Sequence, residues 1–108
     1  MAASERAQTV AGNEALFRRV NEAIERGNWP GEDAGVFRCE CARSGCSELI
    51  DVSRSQYESV RANARRFIVA AGHEDPHFED VVESHPRFRV VEKRGQAGQI
   101  AEQTDPRA

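Results

Sequence analysis

The chain reads as a small α+β domain: a small antiparallel sheet with a C-terminal β-hairpin, one central helix and one N-terminal helix. Three observations predict this. Short apolar runs bounded by turn residues alternate with two stretches of helical periodicity. Three thiols, Cys39, Cys41 and Cys46, fall within one short turn. The 108 residues are also polar for their number, 39% hydrophobic and 31% charged with a mean hydropathy of -0.66, so the core is small and calls for a staple.

Residues 1–12 are small and polar, with Val10 the only sizeable apolar group, and are expected to stay flexible. A single domain is expected over 13–94, made of a helix over 13–27 and a core over 36–93. In the helix, Leu16, Phe17, Val20, Ala23 and Ile24 recur at helical spacing, which predicts an apolar face packed on the domain. Asn13 is the expected N-cap and Gly27 the expected stop. Trp29-Pro30-Gly31 breaks the helix and offers the Trp as an anchor. Val36–Cys39 and Glu48–Val52 read as strands. Ser53 and Gln56 have capping-box spacing, and Tyr57, Val60 and Ala64 form the apolar stripe of the helix that follows. Phe67–Ala70 is a buried strand ended by Gly72. Phe78–Glu83 and Phe88–Lys93 flank Ser84-His85-Pro86-Arg87 as a hairpin. Residues 95–108, rich in Gly, Gln, Ala and charge, read as a flexible tail.

The net charge is -3, and all but one of the 15 basic residues are arginine, Lys93 being the single lysine. That bias, with abundant alanine, fits a GC-rich bacterial genome better than selected guanidinium contacts. Met1-Ala-Ala-Ser-Glu-Arg lacks the apolar stretch of a signal peptide, and no run is long enough to span a bilayer, so no membrane is expected. The expected compartment is the cytoplasm. There, an odd number of cysteines points to thiols or metal ligands rather than a disulfide framework.

Zinc takes thiolate and imidazole ligands, and structural sites close four of them into a tetrahedron. Cys39 and Cys41, one residue apart, project to the same side of an extended segment. Gly45 lets the backbone turn before Cys46. His73, which follows Gly72 at the end of a buried strand, is the expected fourth ligand; His77 and His85, nearer a polar turn and a hairpin tip, are the alternatives. The reading is therefore one structural zinc per chain, the fold being zinc-stapled. A catalytic zinc needs an open position and a base. Glu40 and Glu74 lie beside the ligands, but both are expected to be solvated, and three thiolates lower Lewis acidity.

Residues His73 to Asp80 are rich in hard ligands without the alternation of a calcium loop and read as a polar loop. Arg43, Arg54, Arg61, Arg65 and Arg66 suggest a basic face, diluted by Glu48, Asp51 and Glu58 into a mixed-charge surface. No phosphate loop, nucleophile elbow or H-E-x-x-H helix is present, so no enzyme is expected.

Through Phe37-Arg-Cys-Glu-Cys41, Cys46, Tyr57…Val60-Arg61, Arg66-Phe67, Gly72-His73-Glu74, Val90-Val-Glu-Lys93 and Asp105-Pro-Arg107, the chain resembles a family of small uncharacterised actinobacterial proteins over about residues 14 to 107. The resemblance implies a shared architecture and a shared Cys/His site of Cys39, Cys41, Cys46 and His73, and favours His73 over His77. It implies no activity. The functional expectation is a non-enzymatic zinc module for protein interaction or regulation, which binds a protein partner. The alternatives are a thiol-based redox or zinc sensor, and a nucleic-acid-binding module using the Arg54–Arg66 face, for which the net charge gives little support.

Overall fold

The computed structural model describes residues 2–27, 35–41, 43 and 46–107. In chain order these form α1 (Ala2–Gly27), β1 (Val36–Arg38), β2 (Leu49–Asp51), α2 (Arg54–Arg61), β3 (Arg66–Ala70), β4 (Glu79–Ser84), β5 (Phe88–Lys93) and α3 (Gly95–Gln103). Trp29-Pro30-Gly31 and Gly45, to which the sequence gives an anchor and a turn, lie outside the described residues.

The expected α+β class holds, with two antiparallel sheets. β1 pairs with β2, setting Phe37 opposite Ile50, and the second sheet has the order β3-β5-β4. α2 starts where its capping box dictates: Gln56 N donates to Ser53 Oγ at 3.0 Å, and Ser53 N to Gln56 Oε1 at 2.9 Å. Its Tyr57 ring stacks on Phe37 at 4.4 Å, joining helix to first sheet. β3 is the most buried strand, and Phe67, Ile68 and Val69 meet Val90 and Val91 of β5 in one core.

α1 departs from expectation in two ways. It starts at Ala2, not Asn13, so residues 2–12 are helical and Asn13 is no cap. It also docks with its polar face inward. Glu14, Arg18, Asn21, Glu22 and Glu25 are buried, while Leu16 and Val20 are 57% and 39% exposed and Ala23 faces solvent. The physical reason is that the seat of the helix is polar. Arg18 donates to the carbonyls of Ala64 and Ala101, both at 2.7 Å. Asn21 pairs with both backbone groups of Arg38 at 2.7 Å, occupying the outer edge of β1 as a strand would. Glu22 accepts from Arg61 at 2.8 Å and from Arg107, and Glu25 accepts from Arg54 at 2.9 Å. The inward polar residues recur at the same helical period as the apolar ones. Periodicity shows that a helix is there, and the chemistry of its seat decides which face is buried.

The C-terminal segment is likewise structured. Small residues let α3 lie close to its neighbours: Ala97, Gly98 and Ala101 are buried, and a Cβ on Gly98 would sit 3.0 Å from the Lys93 carbonyl oxygen. Beyond α3, Asp105 pairs with the buried Arg61. Arg107 reaches Glu22 at 2.6 Å and Glu58 at 2.5 Å, strapping α1 to α2. Asp105-Pro-Arg107 is thus a structural tie, not part of a loose tail.

The single lysine is a second such tie. Lys93 Nζ, buried over the Phe67 ring, donates to Glu14 of α1 and Glu79 of β4. Two carboxyls share one ammonium out of water. Burial, reinforced by the Glu79 charge and opposed by Lys93, pushes Glu14 up to about 8.

Two outcomes follow from these ties. Deleting residues 105–108 leaves the buried Arg61 guanidinium short of one counter-charge and removes the strap. Urea unfolding should show a loss of about 3 kcal/mol, at the low end for breaking a buried pair, whereas a loose tail would leave stability unchanged. For Glu14, the unfolded carboxyl releases its proton near 4.5 and the folded one holds it to about 8. Its contribution is therefore full below 4.5 and is lost as pH climbs toward 8, by up to about 1 kcal/mol per pH unit. Glu14→Gln, which mimics the protonated form, should flatten the decline. Parallel stability profiles for the two chains would contradict this.

Candidate metal centre

The first two thiols are placed by strand pairing. Cys39 N donates to the Glu48 carbonyl at 2.9 Å, which prolongs the β1–β2 ladder by one residue. Glu40 N then donates to the Ile68 carbonyl at 2.8 Å, carrying the chain across to β3. Along this extended stretch side chains alternate, so Cys39 and Cys41 face one way and Glu40 the other. Cys46 closes the turn; its backbone N–H donates to the Arg43 carbonyl at 3.1 Å, and its carbonyl accepts from Arg38 at 2.6 Å. His73 arrives from the far end of β3. Gly72 takes a φ of +90°, a left-handed conformation that a side chain would strain, and His73 N donates back to the Ala70 carbonyl at 2.9 Å. Arg43 holds this turn by donating to the Gly72 carbonyl at 3.1 Å.

These elements bring four donor atoms together. His73 Nδ1 lies 3.6 Å from each of the three sulfurs, of Cys39, Cys41 and Cys46, and all four ligand atoms are within 4.8 Å of one another. One imidazole nitrogen carries a single proton or a single lone pair, so it cannot hydrogen-bond three thiols at once. A tetrahedral ion does account for the distance. Metal–sulfur bonds of about 2.3 Å and a metal–nitrogen bond of about 2.05 Å place nitrogen and sulfur about 3.6 Å apart. The residues present therefore fit a metal ion and could supply it with four protein ligands.

The surroundings suit thiolates only when a cation is there to balance them. Burial pushes the Cys39 thiol up to about 12, and raises Cys41 too. Acting the other way, the backbone N–H groups of Ala70 (3.1 Å) and Cys41 point at Cys39 Sγ, and that of Arg43 at Cys41 Sγ. Such N–H donors are what a metal-bound thiolate needs from its surroundings.

All four expected ligands meet at this one point, while His77 and His85 do not. His77 is exposed beside Phe78; His85 stacks on Phe88 at 4.3 Å and bonds Glu83. Among the described residues no other group of His, Cys, Asp and Glu has metal-ligand geometry. The acidic loop beyond His73 instead turns back on itself, with Asp75 N donating to Glu79 and His77 N to Asp75.

Glu40 and Glu74 overturn the expectation of solvated acids. Glu40 is fully buried, accepting from Asn21 and from Ile68 N, both at 2.9 Å. Burial pushes it up to about 7, while those two donors pull it down. Glu74 is mostly covered and paired with Arg89. The signal for Glu40 was present in the C-E-C spacing, because a residue between two inward thiols must face the other way; nothing announced its partner Asn21. The basic stretch is also spent internally. Arg54, Arg61, Arg65 and Arg66 pair with Glu25, Glu22, Glu102 and Glu92 at 2.8–3.0 Å.

A scan of protein-family models, a search of curated proteins and a search of solved structures each return no match to this chain.

The geometry distinguishes the three histidines. His73→Ala should remove most bound metal from gel-filtered protein, whereas His77→Ala and His85→Ala keep one ion per chain by elemental analysis. Equal loss in all three variants would contradict the assignment.

Proposed function

We propose that this protein is a small intracellular zinc module without enzymatic activity, whose Cys39, Cys41, Cys46 and His73 site holds the fold together so that its surface can engage a protein partner. The observation that carries this reading is the common 3.6 Å separation of His73 Nδ1 from the three sulfurs. Three thiolates and one imidazole in a tetrahedron favour zinc among the available divalent ions. With four protein ligands the coordination shell is complete, which leaves no position for a substrate and supports a structural role. The arginines that a nucleic-acid surface would need are paired with glutamates of the same chain. No helix among the described residues is long and apolar enough to cross a membrane.

A structural ion of this type contributes about 10 kcal/mol or more, comparable with the whole stability of a small domain. Native mass spectrometry should therefore find one zinc per chain. Stripping it with a strong chelator should abolish the strand signal in circular dichroism, and zinc should restore it. A metal-free native protein whose fold ignores the chelator would overturn the proposal. Cys46 alone of the three thiols is partly exposed, which favours a second reading, oxidative release of zinc. Low-dose peroxide that ejects the ion reversibly, and more slowly in Cys46→Ser than expected from its affinity, would support that reading.

A further inference from the structure

Shortly after the last cysteine of the metal site runs a strand, β2, whose outer edge is left open by the described residues. In the β1–β2 ladder, Cys39 N donates to the Glu48 carbonyl and Val52 N to the Gly35 carbonyl. Alternation in an antiparallel pair then makes Phe37 and Ile50 the hydrogen-bonded pair between them, and turns the N–H and C=O groups of Leu49 and Asp51 away from β1. On β1 the corresponding outward groups, those of Arg38, are taken by the Asn21 amide. On β2 no residue of the described chain takes them.

Three further features lie along that edge. A cleft of about 340 Å³ runs beside it, lined by Glu48, Leu49, Ile50 and Asp51 on one side and by Ala70, Ala71, His73 and Arg87 around the rest. Leu49, 64% exposed, is the most exposed large apolar side chain of the described residues. The lining carries two exposed carboxylates, Glu48 and Asp51, against one guanidinium, Arg87, which bridges the cleft to Asp51 at 2.6 Å. That pair is 73% and 63% exposed, so water screens it and an incoming cation can replace Arg87 at little cost.

From these observations we infer that the β2 edge is a docking site for an extended peptide, which adds a third strand to the β1–β2 sheet. Its backbone pairs with Leu49 and Asp51. It places an apolar side chain against Leu49 and, two positions along the same face, an arginine or lysine against Asp51. The occupant is set by the surface. Backbone groups offered in line call for a strand rather than a helix, and the excess of carboxylates calls for a basic residue in it. The inference rests on the partner-binding part of the proposed function, and it names that partner's chemistry.

The test uses the zinc-loaded full chain and a capped hexapeptide of alternating valine and threonine, with one arginine two positions after a valine. In the free protein, the Leu49 and Asp51 amides should exchange with solvent rapidly while those of Cys39 and Val52 are protected. Adding the peptide should shift the Leu49 and Asp51 amide resonances and slow their exchange. N-methylation of alternate peptide amides should abolish the effect. A glutamate in place of the arginine, or Asp51→Asn in the protein, should weaken binding about two- to fivefold, the range of a cross-strand charge pair. Leu16→Asp, on the outward face of α1, should change nothing. Protected Leu49 and Asp51 amides in the free chain, no response at millimolar peptide, or an equal response to the N-methylated peptide would each overturn the docking site. Metal content measured on the same samples separates the two claims. Zinc-loaded protein that ignores the peptide refutes the docking site alone, and zinc-free folded protein that binds it refutes the zinc staple alone.

Discussion

The rest of the structure depends on how β1–β2 and β3 are held against each other. They share no strand ladder; among the described residues the Glu40–Ile68 bond is the one backbone–backbone hydrogen bond between them. What closes the joint is the meeting of three sulfurs from one turn with one imidazole from the end of β3. Without a cation, three cysteines and a histidine at mutual contact are a poorly matched set of buried polar groups. With one, they become the strongest link in a domain of this size, because the unfolded chain has no such site and the binding energy becomes folding energy. The alternation of Cys39, Glu40 and Cys41 then ties that link to the remainder of the fold. The thiols face His73, and the buried carboxylate between them faces Asn21 and β3.

α1 is attached by a different kind of force. Its seat consists of carbonyls, arginines and the lysine, and the helix answers with glutamates, an arginine and an asparagine. Buried pairs of this sort add little net stability over a well-packed apolar contact, but removing either partner is expensive. They therefore fix the docking position: Asn21 pairs with the edge of β1, and Glu22 sits between Arg61 and Arg107. The C-terminal Asp105-Pro-Arg107 joins the same network. The two ends of the chain consequently hold each other, and the apolar residues Leu16 and Val20 are left facing outward.

Much of this was legible in the residues. The C-terminal hairpin, the capping box and all four metal-site residues follow from local pattern and ligand chemistry, which act over a few positions, whereas the split of the strands into two sheets does not. The α1 interface was not legible, because polar and apolar residues on that helix share one period. Only the tertiary seat, built from residues 38, 61, 64 and 93, selects between the faces. The tail misled for a related reason. Gly, Gln and Ala read as disorder in isolation, but small residues are what a helix needs to approach a backbone as closely as Gly98 approaches Lys93. Lys93 itself passed as a compositional curiosity, and its meaning appears only when Glu14 and Glu79 are brought to it from distant positions.

The coordination sphere decides whether the joint is built in this way. X-ray absorption at the zinc edge of the purified protein tests it directly. The geometry predicts four-coordinate zinc with three sulfurs at about 2.3 Å and one imidazole nitrogen at about 2.0 Å. A sphere dominated by oxygen, or one without the imidazole, would contradict the convergence of His73 on the three cysteines and the staple built on it.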